Sequence, residues 1–214
     1  MFKSLFNPDN ALMITMSRIT DCIFLSLFWL LGCFPVVTIG ASFAALYDAS
    51  YRGFRKGEKN SWQRFARVYK ENWKAGIGPS IVLIVVTWGL AKFLIGMWNG
   101  AVAGTLTWMV FSGSAFVGVL LVGMLSIMCP MLSRFDNNFS ALLRNTALLG
   151  PAHLPRTLAL GLMNTATALL CVRYVLPIVF LPSLAALIGS LLIEPMFKTY
   201  MPQETEESIE EVAE

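Results

Sequence analysis

The sequence predicts an all-α, polytopic membrane protein with about five transmembrane helices and a two-helix amphipathic cytoplasmic loop after the first span. The first observation is composition: 56% of the 214 residues are hydrophobic and only 14% are charged. A typical soluble domain has about 25% charged residues, and one soluble core does not hide this much apolar surface. The second observation is that the apolar residues fall in runs of about 20 residues, the length that crosses a bilayer as a helix. Lipid is therefore the expected solvent.

Each predicted span follows from one such run. The first run is longer than the apolar part of a signal peptide, so we interpret it as a retained span. The second contains Lys92 as its only charge, and no charged residue occurs from Phe93 to Ser133. That stretch is too long for one helix, and the turn-like pair Asn99-Gly100 is expected to divide it. A tight connection at 172–177 makes the last two spans a hairpin. The five predicted spans are 19–39, 77–97, 106–131, 156–173 and 175–196.

The charge distribution predicts one membrane domain over residues 1–200 and an acidic, disordered tail over 201–214. The domain carries 16 Lys and Arg against 7 Asp and Glu, whereas the tail carries six Glu and no basic residue. Cytoplasmic loops are enriched in Lys and Arg, and the loop 40–76 holds eight of them. We therefore predict this loop and the tail in the cytoplasm and the N-terminus outside. A basic body can also indicate nucleic-acid binding, which we reject because hydropathy explains this body better.

Two helices are predicted in the loop 40–76. The stretch ASFAALYDASYR, residues 41–52, should form a short helix closed by Gly53. The stretch SWQRFARVYKENWK, residues 61–74, puts aromatic side chains on one side of a helix and basic ones towards the other, with Ser61 as its N-cap. Such a helix suits the anionic inner leaflet, and it also suits a protein partner. The predicted membrane-interface or partner-docking residues are Trp62, Arg64, Phe65, Arg67, Tyr69, Lys70, Trp73 and Lys74.

Ionisable side chains inside spans are costly in lipid and mark candidate functional positions. They are Asp21, Lys92, Arg173 and Glu194. We expect Asp21 to pair with Arg18 one turn earlier, with an outer vestibule or a subunit contact as the alternative. The two basic members lie near outer ends and can extend to the interface. Glu194 is expected to pair with Lys198 four residues on, and a role in lining a path is the alternative.

A polar network is predicted in the cytoplasmic loop between the third and fourth spans. Its members are Arg134, Asp136, His153 and Arg156. We expect it to fix the loop, with a proton relay or partner contact through the sole histidine as the alternative. The chain has no phosphate-cradling Gly-Lys-Ser/Thr loop, no His-Glu-x-x-His and no paired carboxylates within a span. We therefore predict no enzyme, no cofactor and no metal site.

Four stretches occur in a recognisable order: FPVVTIGASFAALY, RFARVYKENWK, SRFDNNFSALLRN and GPAHLPRTLALGLMN. Together they resemble the YesL-like family of bacterial membrane proteins, and the resemblance runs from about residue 7 to residue 200. The matching positions are Pro35, Gly40, Ser42, Arg134 to Asn137 and His153 to Thr157. The resemblance implies a bacterial cytoplasmic (plasma) membrane location. Because members often occur beside genes for carbohydrate ABC transporters, it also implies a transport-related role. It supplies no catalytic or binding residues.

Three functions remain open from the sequence. The first is an accessory subunit of a carbohydrate ABC importer that contacts permease or ATPase subunits. The Glu-Ala-Ala…Gly loop signature of ABC permeases is absent, so the chain is not expected to be a permease half. The second is a free-standing, homo-oligomeric carrier or channel for a small solute. The third is a membrane scaffold or regulator that acts through its basic loop or acidic tail.

Overall fold

A computed structural model describes residues 11–58, 60–135 and 138–198, and it confirms the all-α class. Within these ranges the chain forms eight α-helices and no strand. The helices are α1 (Ala11–Cys33), α2 (Ile39–Ser50), α3 (Ser61–Asn72), α4 (Ile77–Val102), α5 (Trp108–Arg134), α6 (Phe139–Ala152), α7 (Leu154–Arg173) and α8 (Leu181–Lys198). Short 3₁₀ turns at Val36–Thr38 and Leu176–Val179 precede α2 and α8.

Three helices in the described part of the chain are long and apolar enough to cross a membrane. These segments are Met16–Cys33, Ile77–Val102 and Trp108–Arg134. The apolar stretch of α8, Leu181–Phe197, is shorter, because the 3₁₀ turn occupies the start of the predicted fifth span. Helices α7 and α8 nevertheless form the predicted hairpin, since they pack against each other. A membrane protein is therefore indicated, and the count of five spans stays a prediction.

The boundary between the second and third predicted spans lies later than expected. Asn99 and Gly100 are inside α4, which continues to Val102. The chain turns at Gly104, whose φ of 74° is a left-handed value that favours glycine. The Gly100 carbonyl accepts bonds from the Thr105 and Leu106 amides and so closes the turn. The prediction of a turn at Asn99-Gly100 is wrong because a glycine inside a membrane helix does not have to end it.

Helix α2 is the centre of the fold. It packs against α1, α3, α4, α5 and α8, and from Gly40 to Ser50 every residue except Phe43 is buried. Gly, Ala and Ser make up most of this stretch, so neighbouring helices approach closely on several sides. At Gly40 a Cβ would stand only 2.9 Å from the Gly76 carbonyl oxygen. The prediction that α2 is an amphipathic helix of a peripheral loop is therefore wrong.

Helix α2 also runs further than predicted. It continues into a π-type turn over Tyr51–Lys56 and ends at Gly57, where φ is 73°. Gly53, the predicted end, lies instead against the Ser61 hydroxyl, with no room for a side chain. Arg18 of α1 donates to the Phe54 carbonyl at 2.9 Å. Because Gly32, near the other end of α1, lies against Ser42, the two helices are antiparallel.

Close helix crossings hold the second half of the chain together. Helices α5 and α7 cross at Gly123 and Gly161, where added Cβ atoms would collide with the carbonyl oxygens of Thr157 and Val119. A buried cluster joins α5 and α7 with α2, α6 and α8. Its largest fully buried side chains include Ile127, Leu160 and Phe197.

We predict that Gly123→Ala destabilises the protein by about 1–3 kcal/mol, because the new methyl group overlaps a backbone atom that belongs to a packed helix. Gly96→Ala is the matched control: it lies on α4 with nothing within 4 Å of an added Cβ. There the higher helix propensity of alanine should leave stability equal or slightly greater. Unfolding of both variants in detergent micelles measures the difference. Equal stability of the two variants would contradict the crossing.

Candidate functional site

A buried ion pair lies where α2, α5 and α8 meet. Arg134 Nη2, at the end of α5, donates to Glu194 Oε1 of α8 at 2.5 Å, and both side chains are about 10% exposed. The Tyr47 hydroxyl of α2 donates to the same carboxylate oxygen at 3.0 Å. The Arg134 guanidinium also lies 4.4 Å from the centre of the Tyr51 ring. We call these four residues the Glu194 cluster.

The Glu194 cluster is built to hold a carboxylate. Burial, and then the Glu194 charge, raise the pKa of the Tyr47 phenol far above its usual value. The phenol therefore stays protonated and remains a hydrogen-bond donor. The Tyr51 ring stacks on the Tyr47 ring with the two planes 3° apart. The Arg55 guanidinium lies 5.4 Å from the centre of the same Tyr51 ring. The arrangement fixes three helices relative to one another and presents no nucleophile.

The predicted polar network of the cytoplasmic loop is only partly visible. Arg134 takes Glu194 as its ion-pair partner, a pairing that the sequence did not indicate because 60 residues separate the two. Asp136 lies outside the described residues. His153 forms the junction between α6 and α7, where its carbonyl accepts bonds from the amides of Arg156 and Thr157. The predicted partner of Glu194, the side chain of Lys198, also lies outside the described residues.

A second buried carboxylate, Asp48, ties α2 to α3. Asp48 is 1% exposed, and Arg64 of α3 donates to it through Nε at 2.6 Å. Arg52, one turn further along α2, lies 3.5 Å from its other oxygen and also bonds Glu58 at 3.1 Å. Sequence reasoning missed Asp48. The signal was a lone acid in a run of small apolar residues, with an arginine four positions later.

Helix α3 uses one side to pack on the rest of the protein. Phe65 is 4% exposed and lies in a cluster with Leu25 and Leu46. The Tyr69 hydroxyl donates to Thr38 Oγ1 at 3.0 Å. With Arg64 bound to Asp48, three of the eight predicted interface residues are therefore internal contacts. The prediction is wrong for Phe65 as a lipid or partner contact, because it is buried.

The other side of α3 and the turn that follows it are exposed and carry the remaining predicted interface residues. They are Trp62, Arg67, Lys70, Trp73 and Lys74, which we call the α3 strip. Trp62 and Trp73 are each about half exposed, and the Lys74 ammonium lies 5.6 Å from the Trp73 ring centre. Within the described ranges, none of the three cations forms an ion pair.

The ionisable residues predicted inside spans do not converge on one site. Lys92 is exposed on α4 and lies 5.7 Å from the ring of Trp88. Arg173, exposed at the end of α7, lies 5.7 Å from the ring of the adjacent Tyr174. Asp21 is half-buried on α1, and its predicted ion pair with Arg18 is not formed. Among the described residues, no three His, Cys, Asp or Glu side chains gather as metal ligands.

We predict that Glu194→Gln lowers the free energy of unfolding by about 3–5 kcal/mol, because it leaves the Arg134 guanidinium buried without its counter-charge. The control Glu71→Gln, on the exposed side of α3, should change it by less than about 0.5 kcal/mol. The double variant Arg134→Gln/Glu194→Gln should cost less than the sum of its single changes. Denaturant titration in micelles measures these three variants and the single variant Arg134→Gln. Additive effects of the two single changes in the double variant would show that Arg134 and Glu194 do not interact.

Comparison with known families gives one match. The family described as "Protein of unknown function, DUF624" matches residues 22–93, which run from the middle of α1 to the middle of α4 and include the Asp48 site and the α3 strip. No curated protein and no solved structure matches the chain. The matched segment is thus similar to an uncharacterised family whose description assigns no activity.

Proposed function

We propose that this protein is an accessory membrane subunit of a bacterial carbohydrate ABC importer and that it binds the importer's membrane subunits through α4. The proposal draws on two supports of different kinds. The order of motifs resembles a family found beside such importers, and α4 presents a long membrane surface that its own fold leaves uncovered. The second support is the structural observation that carries the proposal.

Beyond its first turns, α4 packs chiefly on α5. One stripe of the helix, at Val86, Leu90, Leu94 and Met97, is partly buried, and the other apolar side chains between residues 84 and 98 are exposed. Gly89 and Gly96 each have nothing within 4 Å of an added Cβ. Small residues on a membrane helix allow another helix to approach closely. The surface of α4 therefore suits a transmembrane helix of another protein.

Lys92 gives this surface a chemical preference. An ammonium group within a span costs about 2.5–3.5 kcal/mol at the bilayer centre, and such residues usually face a partner or a polar cavity. Here Lys92 faces outward from the fold, with the Trp88 ring beside it. A partner helix with an Asp or Glu at the matching depth would supply the missing counter-charge. We call Gly89, Lys92 and Gly96 the α4 face.

The test is purification of the tagged, full-length chain from native membranes in a mild detergent, followed by identification of the proteins that accompany it. We expect the membrane subunits and the ATPase of a carbohydrate importer. Gly89→Leu/Gly96→Leu should reduce their recovery by about tenfold, because helix contacts in lipid are each worth about 0.6–2 kcal/mol. Both substitutions meet no atom of the protein's own fold at the Cβ position, so the chain itself should be recovered normally.

Ala91→Leu is the matched control, since it adds the same kind of bulk to an exposed residue on the opposite side of α4 from Gly89. It should leave importer recovery unchanged. Recovery of the chain alone as a symmetric oligomer would contradict the accessory role and favour a carrier, for which flux in proteoliposomes is the next measurement.

A further inference from the structure

The orientation of the α3 strip is fixed by the contacts on the other side of the helix. The ion pair between Arg64 and Asp48 and the buried Phe65 ring lie on one turn of α3, and the Tyr69 hydrogen bond lies on the next. Helix α3 consequently does not rotate to expose a different side. Whatever the α3 strip binds must suit its five side chains and tolerate Glu71, which is also exposed on this side of α3.

The α3 strip divides into an aromatic edge and a basic edge. Trp62 and Trp73 are 11 residues apart, which is about three turns, so they lie on the same side of the helix about 16 Å from each other. Arg67, Lys70 and Lys74 have the spacing of neighbours on one helix surface and point away from the buried side. A helix with tryptophan along one edge and cations along the next fits a lipid surface, where indole rings lie at headgroup level and cations meet phosphates.

The position of the α3 strip in the chain places it at the membrane. Only residues 73–76 separate α3 from α4, which is long and apolar enough to cross a bilayer. Trp73 and Lys74 therefore lie at the point where the chain enters lipid. Each Lys or Arg near an anionic membrane surface contributes about 1 kcal/mol to binding, so two such residues change the affinity roughly 30-fold.

From these observations, we infer that the α3 strip binds the phosphate headgroups of anionic lipids in the bilayer that holds α4. The end of the strip next to α4 lies at the headgroups, with the Trp73 ring at their boundary with the acyl chains and the cations in contact with phosphates. Trp62 lies about 16 Å further along α3, which runs beside α1 with Phe65 near Phe28 and Tyr69 against Gly32. This binding is independent of the proposed importer partner, which meets α4 instead. It makes α3 a lipid-contacting helix rather than a site for a protein.

The test is a lipid titration of the purified full-length chain in neutral detergent micelles, with thermal unfolding as the readout. Dioleoyl phosphatidylglycerol and dioleoyl phosphatidylcholine are the probes, because at equal concentration the lipid that binds the folded state more tightly raises the unfolding temperature more. We expect phosphatidylglycerol to raise the unfolding temperature more than phosphatidylcholine. The difference should shrink with added salt, since the cations are exposed.

Arg67→Gln/Lys70→Gln/Lys74→Gln should weaken phosphatidylglycerol binding by roughly 100-fold and leave the response to phosphatidylcholine unchanged. The control Lys56→Gln/Arg144→Gln/Arg173→Gln removes three exposed cations elsewhere and should keep most of the response. An equal loss in both triple variants, or a salt-independent response of the wild type, would overturn the inference. So would a first triple variant that keeps its lipid response but loses importer subunits on purification, because the α3 strip would then bind protein.

Discussion

The pairing of the Asp48 carboxylate is the constraint on which the arrangement of the first three helices depends. A carboxylate that is 1% exposed costs several kcal/mol unless cations and hydrogen bonds compensate it. Arg64 supplies that compensation, and it does so from α3. Helix α3 must therefore lie against α2 with one rotation about its own axis. That rotation buries Phe65 and leaves Trp62 and Lys70 outside.

The same rule acts again at Glu194, so α2 is tied to neighbours on two sides by buried charge. Between these ties its surface is mostly Gly, Ala and Ser, which allows five other helices to pack on it. A helix with contacts to five others is a central element of the fold and not a peripheral one. The basic segment after α1 is instead part of the body of the protein. Among the described residues, the α3 strip and the long surface of α4 belong to the surface that stays exposed.

The sequence predicted the positions of the helices better than the contacts between them. Long apolar runs gave the starts of α4 and α7 to within two residues, since hydropathy and length alone determine such helices. The packing of α2 was not predictable in the same way, because a run of small residues fits a loop helix and a buried helix equally well. The pair of Arg134 and Glu194 was missed because no local pattern connects residues on different helices. In α3, periodicity identified the aromatic and basic sides, but it could not show that Arg64 and Phe65 contact the protein itself.

The measurement that tests the central position of α2 most directly is amide hydrogen exchange of the full-length chain in lipid nanodiscs. Exchange needs local opening, so amides in tightly packed helices exchange more slowly than those in helices that pack on one side only. We predict that peptides covering 40–50 exchange more slowly than peptides covering 61–72. Equal rates in the two segments, or protection of α2 in a pattern that repeats every three to four residues, would contradict a buried central helix and restore a peripheral one.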